Sequence, residues 1–386
     1  MCHKLNRMIL AAVMLILAAS FAQGQTHAPW PTDWNNWSDP ALWATVDDES
    51  NMPDTRYNGI SVGAVDYTYQ IGKFEVTAGQ YCNFLNSVAQ TDTYGLYNDN
   101  MDVDYNFTGC NIKRTGSSGN YIYNVASDRA NRPVNFVSFW DACRFVNWLH
   151  NGQPTGPQNL FTTEDGAYTL NGYNGQDGKM IARNPGAKYC IPNADEWYKA
   201  AYYEGGNTDA GYWDYATQTN LPPSNIVTYP DPGNNANFSY AIDSPYYRTP
   251  VGEFENSESA YGTFDQSGNI LEWIDTIVSQ GPDWASREAR GGAFNYNVDG
   301  LEASERHWGY PTIEYVYSGF RIASVPESVP EPGCITLLFA CIACLLSYAW
   351  RRRNQLDEKN VQGGHPSSLG SESREFETRT LISRPV

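Results

Sequence analysis

Positive charge is scarce in this chain. Its 386 residues carry 25 Lys and Arg against 43 Asp and Glu, a formal net charge of −18. The interior is more acidic still, because the two ends hold more basic than acidic residues. Nucleic acid and anionic lipid surfaces both demand a basic footprint, so the balance argues against either as a partner and suits bound cations. Histidine is rarer: between residues 28 and 333 only His150 and His307 occur, and no HExxH pattern, Gly-rich phosphate loop or Ser-His-Asp order appears. Cysteine is absent from Ile191 through Gly333, and the four between residues 25 and 190, Cys82, Cys110, Cys143 and Cys190, form no CxxC pair. A structural zinc site is thereby disfavoured, while an oxidising compartment would permit disulfides whose pairing the sequence leaves open.

Long apolar runs are confined to the ends. Residues 1–24 carry Lys4 and Arg7, the apolar run Met8 to Ala19, and then Ala22-Gln-Gly24. This order predicts a secretory signal peptide cleaved before Gln25, since the run is too short to span a bilayer. At the other end Val329-Pro-Glu-Pro-Gly333 leads into the uncharged run 334–350, followed by Arg351-Arg352-Arg353. A core helix would show a polar stripe, and this one shows almost none, so a transmembrane helix with a cytoplasmic basic flank is expected. The three features together resemble the bacterial PEP-CTERM sorting signal. That resemblance implies an exosortase-type partner and delivery to the cell envelope or the exterior. The polar tail within 351–386 departs from the pattern and leaves a retained membrane anchor open.

The segment 25–59 is rich in Trp and Pro, with Trp30, Trp34, Trp37 and Trp43, and lacks a sustained period, so it reads as an irregular lead-in. Ser61 to Phe74 alternates partly with period two and predicts a strand. Thr77 with Gln80 makes a capping box before Tyr81, Leu85 and Val88 on one helical face. Ser138 caps a second helix with Ala142, Phe145, Val146 and Leu149 at helical spacing, and Asn193 with Glu196 caps a third over 194–203. Elsewhere between 90 and 320, Gly, Asn, Asp, Ser, Tyr and Pro interrupt short apolar pairs, which predicts short strands and ordered loops. The expectation is one loop-rich α+β domain over 60–324, with a Pro-containing linker over 325–333.

Several segments occur in a telling order: Tyr69-Gln-Ile-Gly-Lys-Phe-Glu-Val-Thr77, Val134-Asn-Phe-Val-Ser-Phe-Trp-Asp-Ala142, Ile191-Pro-Asn-Ala-Asp-Glu-Trp197, Thr249-Pro-Val-Gly252, Tyr261-Gly-Thr-Phe-Asp-Gln-Ser-Gly-Asn-Ile-Leu-Glu-Trp273, Arg290-Gly-Gly292 and Gly319-Phe-Arg-Ile-Ala323. The ordered set resembles the formylglycine-generating enzyme (sulfatase-modifying factor) family, which implies a variant of the C-type-lectin-like fold. Asp265 and Glu272, with a glycine between them, can bring carboxylates and carbonyls onto a hard cation. The resemblance implies calcium there, with Asp265 and Glu272 as side-chain ligands and Gly268 and Ile270 as carbonyl ligands. It implies a second calcium at Asn237 and Asp243 by side chain and Phe238 and Pro245 by carbonyl. In both places calcium would be structural.

The family's oxidation of a substrate cysteine uses copper held by two cysteines just after the Arg-Gly-Gly segment. At the same offset this chain has Tyr296 and Leu301, and Ala293 replaces the usual serine. Oxygen and phenol ligands replace thiolates poorly on Cu(I), so copper is not expected. The leading expectation is therefore a non-catalytic binding or structural module. Its ligand cleft would use Phe294, Asn295, Tyr296, His307 and Trp308, although Phe294 and Trp308 suit a core equally well. A glycan or envelope component is expected as partner by fold analogy alone. The alternative is an oxidoreductase acting on protein cysteines through a rearranged site drawn from the four available thiols.

Overall fold

The computed structural model describes residues 31–325 except 32, 58, 60 and 103–107. The expected signal peptide, the membrane segment at 334–350 and the tail lie outside the described residues. No helix among the described residues is long and apolar enough to cross a membrane.

Each helix begins at a reciprocal capping box, which satisfies amide groups that no helical turn can reach. In α1, Ala78–Val88, the Thr77 hydroxyl accepts from the Gln80 amide while the Gln80 side chain accepts from the Thr77 amide. Ser138 and Asp141 make the same exchange before α2, Phe139–His150, as do Asn193 and Glu196 before α3, Ala194–Tyr202. The predicted apolar face of α2 understates its burial: every residue from Phe139 to Leu149 is buried. Its Arg144 is tolerated inside because Glu164 accepts from Nε and Nη2 at 2.8 and 3.1 Å. Phe145 is the centre of an aromatic cluster, with ring centroids 5.3 Å from both Phe84 of α1 and Phe320. Burying rings of this size contributes about 1.5–3 kcal/mol each.

The lead-in is not irregular throughout. Its residues Trp43–Val46 form strand β1, paired antiparallel with β2, Tyr69–Gly72. Trp43 then stacks on Tyr189 at 5.7 Å, a ring partner far away in sequence. Ile112–Thr115 and Ile122–Val125 form the hairpin β3–β4, and Tyr189–Cys190 is β5. Leu271–Gln280 and Ala285–Arg290 are β6 and β7, followed by β8, His307–Gly309, β9, Ser318–Gly319, and β10, Ala323–Ser324. One sheet runs β1-β2-β10-β5, so the last strand of the domain lies beside its second. The other four-stranded sheet runs β8-β7-β6-β9. This is the expected α+β arrangement of three helices and short strands, with one exception: β6 is ten residues long.

Candidate functional site

The chain leaves β7 through Arg290-Gly291-Gly292 and comes back along its own edge as β8, with Ala289 opposite His307 and Glu288 opposite Trp308. Both glycines have positive φ, +95° and +71°. A Cβ on Gly292 would stand 2.7 Å from the Gly300 carbonyl oxygen, so the turn needs glycine for space as well as for conformation. Arg290 holds the returning loop. Its Nε donates to Glu288 at 2.5 Å and its Nη1 to the carbonyls of Ala303 and Glu305 at 3.3 and 3.0 Å.

Beside this edge lies a cavity of about 200 Å³. Leu271, Trp273 and Ala289 line it from the sheet, and Tyr296, His307, Trp308, Tyr315 and Tyr317 also line it. Tyr315 and Tyr317 are stacked at 4.9 Å, Tyr317 meets Tyr296 edge-on at 5.7 Å, and Tyr296 meets the His307 ring at 4.9 Å. Trp308 is 61 % exposed. Burial pulls the His307 pKa below its ordinary value, against the opposing influence of Glu305 and of a bond to the Gly300 backbone, which favours the neutral imidazole at pH 7. Its Nε2 is buried and has no hydrogen-bond partner. An aromatic-walled cavity with one unmet polar atom can hold a ligand that offers apolar faces and a hydrogen-bonding group.

Of the five cleft residues expected from sequence, Tyr296, His307 and Trp308 come together here. Phe294 does not line the cavity: it is 2 % exposed and packs against Tyr240 and Tyr247. Asn295 is half-buried and also off the lining, with an unpartnered Oδ1. Tyr315 and Tyr317 were missed, although the Tyr-Val-Tyr alternation places both on one face. Leu301 is wholly buried in an apolar cluster with Tyr215, Ala236 and Phe238. All four described cysteines are buried free thiols, and none lines the cavity. Burial pushes Cys82 up to about 11 and Cys143 and Cys190 well above the ordinary range, which suppresses thiolate.

The two segments expected to hold calcium meet each other. The Asn269 amide donates to the Asn237 carbonyl at 2.8 Å, and Gly268 is so close to Asn237 that a Cβ there would lie 2.4 Å from the same oxygen. Glu272, however, faces Arg321. Its Oε2 accepts from Arg321 Nε at 2.6 Å and from Trp197 Nε1 at 2.7 Å, and its Oε1 accepts from Arg321 Nη2 at 2.7 Å. A cation placed on Glu272 would compete with that guanidinium. Asp265 accepts from the Gly252 amide at 2.6 Å, and burial pushes its carboxyl up to about 6. Ile270 is buried at the entry to β6. Around the second expected site, Asn237 is fully buried with an unpartnered Oδ1, which fits a hard cation. Phe238 is buried, whereas Asp243 and Pro245 are exposed. No group of three or more His, Cys, Asp or Glu among the described residues is placed to hold a metal.

Residues 49–325 match the family model for the sulfatase-modifying factor enzyme 1-like domain. Among solved structures, CarF is similar at 22% sequence identity and a TM-score of 0.43, covering 74% of this chain and 98% of its own. Variable protein 1 of Treponema denticola is similar at 18% identity and a TM-score of 0.43, covering 74% of this chain and 95% of its own. PvdO of Pseudomonas aeruginosa is similar at 16% identity and a TM-score of 0.38, with 74% and 91% covered. A comparison with curated proteins finds no match.

Proposed function

Because the chain belongs to the sulfatase-modifying factor enzyme 1-like domain family, we propose that it uses this fold as an exported, non-catalytic binding module whose ligand occupies the cavity beside β8. One observation carries the reading: His307 Nε2 is buried and unpartnered in a cavity walled by Tyr296, Trp308, Tyr315 and Tyr317. Aromatic faces suit the C–H faces of sugars, and the imidazole nitrogen suits a hydroxyl, so a glycan or envelope polymer is the ligand class. Copper-dependent oxidation is disfavoured because Tyr296 and the buried Leu301 stand at the offset of the family's two thiolates. Export and at least transient anchoring rest on the apolar ends of the sequence, with an exosortase-type enzyme as partner.

Calcium is proposed as a structural ion at Asn237, Phe238, Asp243 and Pro245, supported by the unpartnered Asn237 Oδ1. At Asp265, Gly268, Ile270 and Glu272 a calcium ion would compete with Arg321, which already supplies positive charge to Glu272. Saturating calcium at about 100 times its Kd would contribute about 2.7 kcal/mol, so chelation should lower the melting midpoint by several degrees. An unchanged midpoint removes calcium from the account. A glycan array probed with the full chain and with Trp308→Ala tests the ligand class: binding that survives the substitution undoes the assignment of the cavity. Turnover of a sulfatase-type cysteine peptide in the presence of copper would favour the oxidoreductase instead.

A further inference from the structure

Buried arginines in this protein follow a pattern. Arg321 presents its Nε and Nη2 edge to Glu272, and Arg144 presents the same edge to Glu164. Arg287 pairs with Asp275 at 2.7 Å and Arg290 with Glu288 at 2.5 Å. Two buried arginines break the pattern. Arg129 is 3 % exposed and Arg248 0 % exposed, and neither makes an ion pair among the described residues. Each donates from Nη1 to a main-chain carbonyl, Arg129 to Gly109 at 3.3 Å and Arg248 to Thr108 at 3.0 Å. In both, Nε is buried without a partner, as it is in Arg287, but Arg287 still grips Asp275 through Nη1, whereas Arg129 and Arg248 meet no carboxylate among the described residues.

The two belong to one cluster with the half-buried Arg132, whose Nη1 donates to the Arg248 carbonyl. The guanidinium carbons of Arg129 and Arg132 lie 4.6 and 4.2 Å from the centroid of the Tyr246 ring. The nearby carboxylates do not neutralise the cluster. Asp128 accepts from the Tyr246 hydroxyl at 3.0 Å, and Glu253 acts on Arg132 without forming an ion pair. Burial, with Arg129 and Arg132 alongside and only the Cys110 thiol opposing them, pulls Arg248 down to about 10. An uncompensated buried cation of this kind is destabilising unless an anion joins it.

We propose that Arg129, Arg132 and Arg248 form a binding site for a tetrahedral oxyanion, a phosphate or sulfate group, free or esterified to a larger ligand. Three guanidinium groups with two open side-on edges match the charge and multiple oxygens of such a group better than a single carboxylate. The site is separate from the cavity beside β8, and none of its residues lines that cavity.

The test is a melting series of the full chain in phosphate, sulfate or chloride at equal ionic strength, repeated with a sugar phosphate and a sugar sulfate. A saturable rise of several degrees above chloride is expected with at least one of these oxyanions. A rise with inorganic ions identifies a free-ion site, and a rise with the sugar esters alone identifies an esterified ligand. Arg132→Gln, at a half-exposed position, should keep its midpoint in chloride and lose the rise. Trp308→Ala should keep the rise. No rise beyond chloride, or an equal rise in Arg132→Gln, overturns the proposal.

Discussion

Arg321 and Arg248 are both wholly buried, yet their surroundings differ by one carboxylate. Arg321 meets Glu272 side-on and donates to three carbonyls as well. Arg248 has a carbonyl for Nη1, an aromatic face 5.8 Å away at Phe294, and two further arginines as charged neighbours. A buried pair with complete hydrogen bonding is a structural joint, since removing either partner strands a charge in low dielectric. A buried cation without a partner lacks that purpose. Burial alone therefore does not tell which arginines hold the fold; the presence of a carboxylate partner does.

The largest effect should come from breaking the joint. Arg321→Met leaves Glu272 buried and unpaired, and denaturant unfolding should show a loss of about 3–5 kcal/mol. Arg248→Met, measured in chloride, should cost no more than about 1 kcal/mol, because it removes a charge that no carboxylate among the described residues compensates. Equal losses in the two variants would abolish the distinction.

The acidic counterpart sharpens it further. Glu314 is near Asp141 and Asp92 and accepts from Asn98, and no ion pair to Glu314 is found among the described residues. Burial first, and then Asp141, pushes Glu314 up to about 8 from an ordinary 4.5. The folded state thus holds a proton that the unfolded chain has released. Its contribution is complete below pH 4.5 and is lost as pH rises to about 8. Glu314→Gln should melt a few degrees above the natural chain at pH 8 and coincide with it near pH 4.5. The smallest effect belongs to Trp308→Ala. At an exposed edge it should change stability by no more than about 0.5 kcal/mol while weakening ligand binding.

What the sequence made legible follows from how local each signal is. The three capping boxes lie within four residues of chain, and all three helices start where they predict. The strand β7 reads Ala-Ser-Arg-Glu-Ala-Arg, which resembles a solvated loop, yet all six residues are buried. Arg290 pairs with Glu288 within the strand, but Arg287 and Glu288 are also met by Asp275 and Arg306, 12 and 18 residues away. Glu272 posed the same problem: its spacing from Asp265 suggested a cation, and the guanidinium beside it comes from 49 residues further along. The lead-in strand β1 was hidden because its partner β2 follows only after a long intervening loop. At the cavity, His307 and Trp308 were visible as unusual residues, whereas Tyr315 and Tyr317 belonged to a chain full of tyrosine.

The reach of Arg321 has a consequence for motion. Its guanidinium joins the carbonyls of Gly72, Lys73 and Phe264 to the carboxylate of Glu272, so one planar group fastens the end of β2, a distant loop and the start of β6. None of these segments can open to solvent singly without stripping hydrogen bonds from a buried guanidinium. Amide exchange across the three should accordingly share one opening free energy, and a domain with so little regular structure would breathe there as a single cooperative unit.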